Sequence, residues 1–326
     1  MRPPFQFSFT LDTEPDNLWA NRPELTFEHF DRLFEFHRRM RAAGSRPVYL
    51  TTSEVVQDPK ARAVLRKCLD EGGCEIGAHF HSWTRSWPFP VPDINWQGSR
   101  LHAMAHQLGQ PVEEAMLDYT CRELASAYGI QPVSYRGGRW SLSRDSITSF
   151  KNCGITVDST VTPGINWRDQ KHTLVDGSDF SRSSRFPSSV SRAMGGGDDP
   201  QGPLEIPVGA AWFPAWGEGA SDGARKNLAR IGARLPLRAG HRWLRPTHSS
   251  VEDMTAVMKS LKAAAVPVWV FMIHSSEIAP CKPLPTEDDV RKFVDRCERI
   301  AQIAVELGAV GATLAEAEAG LRNQVK

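Results

Sequence analysis

Apolar and polar positions along this chain alternate in short blocks that predict strands followed by helices. Residues 5–11 predict a first strand, in which alternate side chains share a face. Residues 28–43 carry helical spacing and stop at Gly44. A second strand is predicted over 47–51, a helix over 58–71 closed by Gly72 and Gly73, and a third strand over 75–79. Residues 111–128 predict a helix with Gly129 as its C-cap, 133–136 a short strand, and 143–153 a helix followed by the strand-like run 155–158. Residues 204–208 predict another strand and 267–273 a strongly apolar one. A long helix over 287–307, a last strand over 310–314 and a terminal helix complete the pattern.

Strand-then-helix order implies parallel strands joined by crossover helices. Seven or eight such strands favour an α/β fold closed as a TIM-like (β/α)7–8 barrel over an open sheet. In such barrels the reactive groups sit at the C-terminal ends of the strands. Asp12, Glu14, His79, His81, Arg136, Asp158 and His274 all fall at such ends. The chain of 326 residues reads as one barrel domain over 1–326, with insertions near 178–203, rich in Ser, Gly and Asp, and near 212–250, which mixes aromatics with a basic stretch.

The chemistry is concentrated in two segments. The run from Phe7 to Asp16 passes from a strand pattern straight into three acids, and Asp12 and Glu14 share a face. In Glu75-Ile76-Gly77-Ala78-His79-Phe80-His81 the two histidines also share one. Two carboxylates and two imidazoles at two strand exits can form a divalent metal site with room for water, the signature of a hydrolase. A shell of two histidines and a carboxylate favours Zn2+, with Co2+, Ni2+ or Mn2+ compatible. The plainer alternatives are an acidic loop that caps the next helix and an H-x-H pair with one inward and one exposed ring.

These motifs resemble those of the polysaccharide deacetylase family, also called the NodB-homology or carbohydrate esterase 4 family. The resemblance rests on Thr10-Leu11-Asp12-Thr13-Glu14-Pro15, Glu75-Ile76-Gly77-Ala78-His79, the run from Ser134 to Trp140, Val157-Asp158-Ser159, and Phe271-Met272-Ile273-His274-Ser275. It implies a distorted barrel and metal-dependent removal of an acetyl group from an acetylated sugar. Asp12 matches the family's catalytic base, and Glu14 the metal-binding acid in the variant that places it two residues on. His79 matches the first ligand histidine. The second usual ligand position is Trp83 here, and His81 is the nearby imidazole. Arg136 matches the arginine that orients the base, and His274 the histidine that protonates the leaving group.

Composition bounds the partners. A net charge of +1 argues against nucleic acid or an anionic membrane, and no apolar stretch is long enough to span a bilayer. The six cysteines form no C-x-x-C pair and read as reduced structural thiols. With no apolar leader near Met1, the expected location is cytoplasmic. Trp83, Trp87, Arg139 and Trp140 lie near strand ends, where aromatic faces stack on sugar rings; they are the expected carbohydrate-binding residues. Trp167, Trp243 and Arg245 lie in other aromatic or basic segments. The alternatives are a metal-independent amide or glycoside hydrolase on the same barrel, and a non-catalytic carbohydrate-binding barrel.

Overall fold

A computed structural model of the chain describes residues 4–20, 24–82, 87–90, 104, 107–168, 177–213 and 240–323. Its elements are β1 (Phe5–Thr13), α1 (Phe30–Ala42), β2 (Val48–Thr51), α2 (Ser53–Gln57), α3 (Pro59–Glu71), β3 (Glu75–Phe80), α4 (Gln110–Tyr128), β4 (Ser134–Gly137), α5 (Ser146–Cys153) and β5 (Val157–Asp158). They continue as β6 (Ser188–Ser189), α6 (Val190–Ala193), β7 (Leu204–Glu205), β8 (Ala210–Phe213), β9 (Gly240–Trp243), α7 (Val251–Ala263), β10 (Val268–His274), α8 (Glu287–Glu306), β11 (Ala309–Gly311) and α9 (Leu314–Asn323).

The main sheet curls in the order β10-β1-β2-β3-β4-β5-β7-β6, with β11 paired to β1. All of its pairings are parallel except β6 with β7. The curl is joined across its gap by a parallel bridge from Val208 to Val270. The expected parallel barrel is therefore present, in distorted form.

β1 shows why the chain folds this way. Phe7, Phe9 and Leu11 belong to the large core formed with the helices. The alternate positions Ser8 and Thr10 spend their hydroxyls on the carbonyls of Ala312 and Phe271. A smaller core, built from Val48, Leu50, Val157, Ile206, Val268 and Val270, is joined by Leu314 and Ala317 of α9.

Helix ends follow local chemistry. Asp58 caps α3 by accepting from Ala61 N, with Pro59 in the first turn. Asp16 accepts from the backbone N–H groups of Glu28 and His29 and from the His29 ring, and so ties the β1–α1 loop to the start of α1. The last strand departs from expectation. It covers Ala309–Gly311, and Leu314 opens a helix. Thr313 and Glu316 exchange side-chain-to-backbone hydrogen bonds there, a capping box that overrides the apolar strand pattern.

Candidate active site

Strand register assembles the site. In the β1–β10 pairing Asp12 stands opposite His274, and in the β3–β4 pairing His79 stands opposite Arg136. Asp12, Glu14, His79, His81 and Arg136 are all at least 95% buried.

Glu14, His79 and His81 converge, with one ligand atom of each lying within 4.8 Å of the others. Glu14 Oε2 is 2.9 Å from His81 Nε2 and 3.7 Å from His79 Nε2. The two Nε2 atoms face each other at 3.1 Å. His79 Nδ1 donates to the Arg136 carbonyl at 2.6 Å, so in the neutral ring Nε2 keeps its lone pair and points it at the other two. Two imidazole nitrogens and one carboxylate oxygen turned on one point fit a divalent ion of the zinc type. The backbone approaches this cluster closely at Gly138, where a Cβ would lie 2.6 Å from His81 Nδ1. Asp16, the third acid of the first segment, is used as a helix cap instead.

Asp12 pairs with the other charge. Arg136 Nη1 donates to Asp12 Oδ1 at 2.8 Å and to Thr10 Oγ1 at 2.8 Å, while Nε donates to the Ser159 carbonyl at 2.7 Å. Burial pushes the Asp12 carboxyl up, but Arg136, with His79 and His274, outweighs it and holds Asp12 below the usual range. Burial also opposes ionisation of Glu14, and hydrogen bonds from His79 and His81 hold that carboxyl well below its usual value.

His274 ends β10, with Nε2 3.9 Å from Glu14 Oε1. Its Nδ1 accepts from Arg245 Nη2 at 2.9 Å, and Glu277 Oε1 lies 3.7 Å from the same nitrogen. Burial and Arg245 pull the His274 pKa down; Glu277 and Glu14 overcome them and leave it raised. Arg245 arrives here because the β8–β9 hairpin docks on the barrel, with Leu244 O accepting from Met272 N at 3.1 Å.

A cleft of about 260 Å³ opens over these groups. Asp12, His81 and His274 reach it, and Trp19, Arg139 and Arg245 line it together with Trp140, Trp167 and Trp243. The Trp140 and Trp167 rings stack at 5.9 Å, with Trp243 6.1 Å from Trp140. A larger cavity of about 830 Å³ lies against the 178–198 segment and Glu205, but none of Asp12, Glu14, His79, His81 or His274 lines it. The chemistry belongs to the smaller cleft.

The expected site residues are thus distributed unevenly. Asp12, Glu14, His79, His81, Arg136 and His274 are brought together, with Arg139 and Trp140 at the cleft. Trp87 is not: it packs against Phe80, Phe89 and Tyr119 and is absent from the cleft's described lining, because β3 and α4 offer it an aromatic pocket. Trp83 lies outside the described residues. Asp158, at the end of β5, is fully buried beside Glu205. Burial and the like charge of Asp158 raise the Glu205 carboxyl well above its usual value. Trp19 and Glu277 carried no sequence signal of their own. Trp19 donates its indole N–H to Glu14 Oε1 at 3.0 Å. The one available hint for Glu277 was its spacing of three residues from a strand-end histidine.

No protein-family model matches the chain, and no curated protein does. Among solved structures, it is similar to a Mycobacterium smegmatis protein named provisionally as a polysaccharide deacetylase. The TM-score is 0.51 at 13% identity, over 100% of this chain and 93% of that one. The fold is that of the NodB-type barrel. A 4-alpha-glucanotransferase from Thermococcus litoralis is equally similar, with a TM-score of 0.51 at 11% identity, over 97% of this chain and 40% of that one. The NodB-type barrel therefore does not choose the chemistry; its strand-end residues must. Among the described residues no helix is long and apolar enough to cross a membrane.

Proposed function

We propose that the protein is a metal-dependent carbohydrate deacetylase, which hydrolyses an acetyl group, most naturally an N-acetyl group, from a sugar. The observation that carries this reading is the convergence of Glu14, His79 and His81 beside the Asp12–Arg136 pair. Glu14, His79 and His81 would hold the ion. When bound, it supplies Lewis acidity, which lowers the pKa of water and polarises a carbonyl. Zinc suits this donor set best, and cobalt, nickel or manganese are compatible.

The chain's own groups supply the proton transfers. Asp12, kept ionised by Arg136, accepts the proton of the attacking water. Arg136 holds that carboxylate in place through bonds to Thr10 and Ser159. His274 gives a proton to the departing nitrogen from Nε2, its ring atom nearest Glu14. The ring that gives this proton is the doubly protonated one, which its raised pKa favours, with Glu277 as the carboxylate beside Nδ1. The tryptophans stack on the apolar face of the sugar.

The test is acetate release from N-acetylated sugars, with the metal content of the purified protein and the effect of a chelator. Activity that is lost with the ion and returns with zinc or cobalt supports the reading. Hydrolysis indifferent to chelation points to a metal-independent hydrolase on the same barrel. A stoichiometric ion with no acetate released from any sugar points to a binding barrel.

A further inference from the structure

We infer that the cleft takes an acylated sugar carrying an anionic substituent, a carboxylate or a phosphate, which Arg245 and Arg139 engage against the tryptophan wall. This deepens the deacetylase reading and rests on it for the acyl group alone.

The first observation is Arg245. It is 93% buried by its 7% relative exposure, yet it lines the cleft. Its Nη2 is spent on His274, but its Nε is buried and makes no hydrogen bond. A guanidinium that lines a cleft is a fitting partner for an anionic oxygen. Glu277 lies 3.6 Å from Nη2 and is absent from the cleft's lining, so it holds Arg245 in place without occupying the ligand's position. The Arg245 guanidinium lies 5.3 Å from the Trp243 ring centre, which fixes its plane next to the surface where a sugar would stack.

The second observation is the backbone at Arg139 and Trp140. Both are left-handed, with φ of 56° and 60°. Two consecutive non-glycine residues in that region are a strained arrangement. The result of that strain is that both side chains reach the same cleft, one cationic and one aromatic. Arg139 also lies 5.2 Å over the Trp19 ring, so a second cation is placed on the wall by an aromatic contact.

The third is size. A cleft of about 260 Å³ is small beside the usual ligand pocket of about 300–1,000 Å³ and suits one substituted sugar ring. Two guanidinium groups line so small a site, and its one lining carboxylate among the described residues, Asp12, is already paired with Arg136.

The experiment compares N-acetylglucosamine, its 1-phosphate, its 6-phosphate and the corresponding uronic acid as substrates of the metal-loaded chain at low salt. At least one anionic sugar is expected to exceed the neutral one in kcat/KM by about tenfold or more, the worth of one charge-assisted hydrogen bond. The phosphate and uronic acid arms identify which anion it is. Arg245→Gln slows every substrate, since it also touches His274. The readout is therefore the anionic-to-neutral ratio, which should collapse towards one, and Arg139→Gln should lower it too. Calorimetric titration of the chelator-treated full chain with the same sugars should give the same ranking without turnover. Equal rates for neutral and anionic sugars, or a ratio that survives Arg245→Gln, would overturn the inference. If no sugar is hydrolysed but the anionic ones bind in an Arg245-dependent way, the inference stands and the deacetylase reading falls.

Discussion

Trp19 and Glu14 are joined by a hydrogen bond of 3.0 Å, from the indole N–H to Oε1, while Oε2 of the same carboxylate faces the two imidazoles. The Trp19 ring also meets His81 edge-on at 5.0 Å. Trp19 is half exposed, so it contributes little to the core. Its hydrogen bond occupies one carboxylate oxygen and leaves the other facing the imidazoles. Trp19→Phe is expected to weaken zinc binding by about 10–100-fold, the usual effect of losing an outer partner of a ligand. Thermal stability should barely change. Competition with a chromophoric chelator measures the affinity, and an unchanged value would exclude the positioning role.

His274→Ala should lower turnover by about two to four orders of magnitude, the typical contribution of general acid–base catalysis. Metal content should stay intact. An ester substrate, with a better leaving group, should suffer less than an amide. Loss of the ion in this variant would make His274 a ligand and displace His81 from that role.

Arg136 is fully buried with its charge set against Asp12. Removing one partner leaves an uncompensated buried charge, so Arg136→Met should destabilise the fold by about 3–5 kcal/mol. Adding Asp12→Asn to that variant should restore part of the loss, because no charge is then stranded. Urea unfolding of the two variants decides this; a double variant no more stable than Arg136→Met would show that packing, not charge, holds Arg136.

Glu113 of α4 is 1% exposed and accepts from Ser146 Oγ at 2.7 Å. Burial raises its carboxyl to about 7. Since the folded value lies above the unfolded one, its contribution to stability is full below about pH 4.5 and is lost as the pH rises to about 7. The loss is at most about 3 kcal/mol. Glu113→Gln should therefore gain on the parent protein between pH 5 and pH 8 in denaturant unfolding. Equal pH slopes for the two would show that Glu113 ionises without penalty.

The period-two spacing made much of this site legible along the chain. Asp12 with Glu14, and His79 with His81, share faces because a strand alternates its side chains, and that follows from local geometry alone. The strand-helix alternation likewise carried the parallel barrel, since crossovers leave few other ways to bury such strands. Local capping was harder to read. The strand expected over 310–314 is cut short because Thr313 and Glu316 satisfy a helix start.

What lay beyond the sequence depends on contacts between distant segments. That Asp12 faces His274 is a matter of register between strands some 260 residues apart, as is the bond from Thr10 to the Phe271 carbonyl, 261 residues on. Arg245 meets His274 because a hairpin folds back onto β10, and Asp158 is buried beside Glu205 because β5 and β7 are neighbours. Tryptophans gave the least away: the indole of Trp87 is taken up by the core and that of Trp19 by a carboxylate, although both follow a predicted strand. A side chain's face is set by its own backbone, which the sequence encodes nearby. Its partner is set by which strands pack together, and only the folded barrel supplies that.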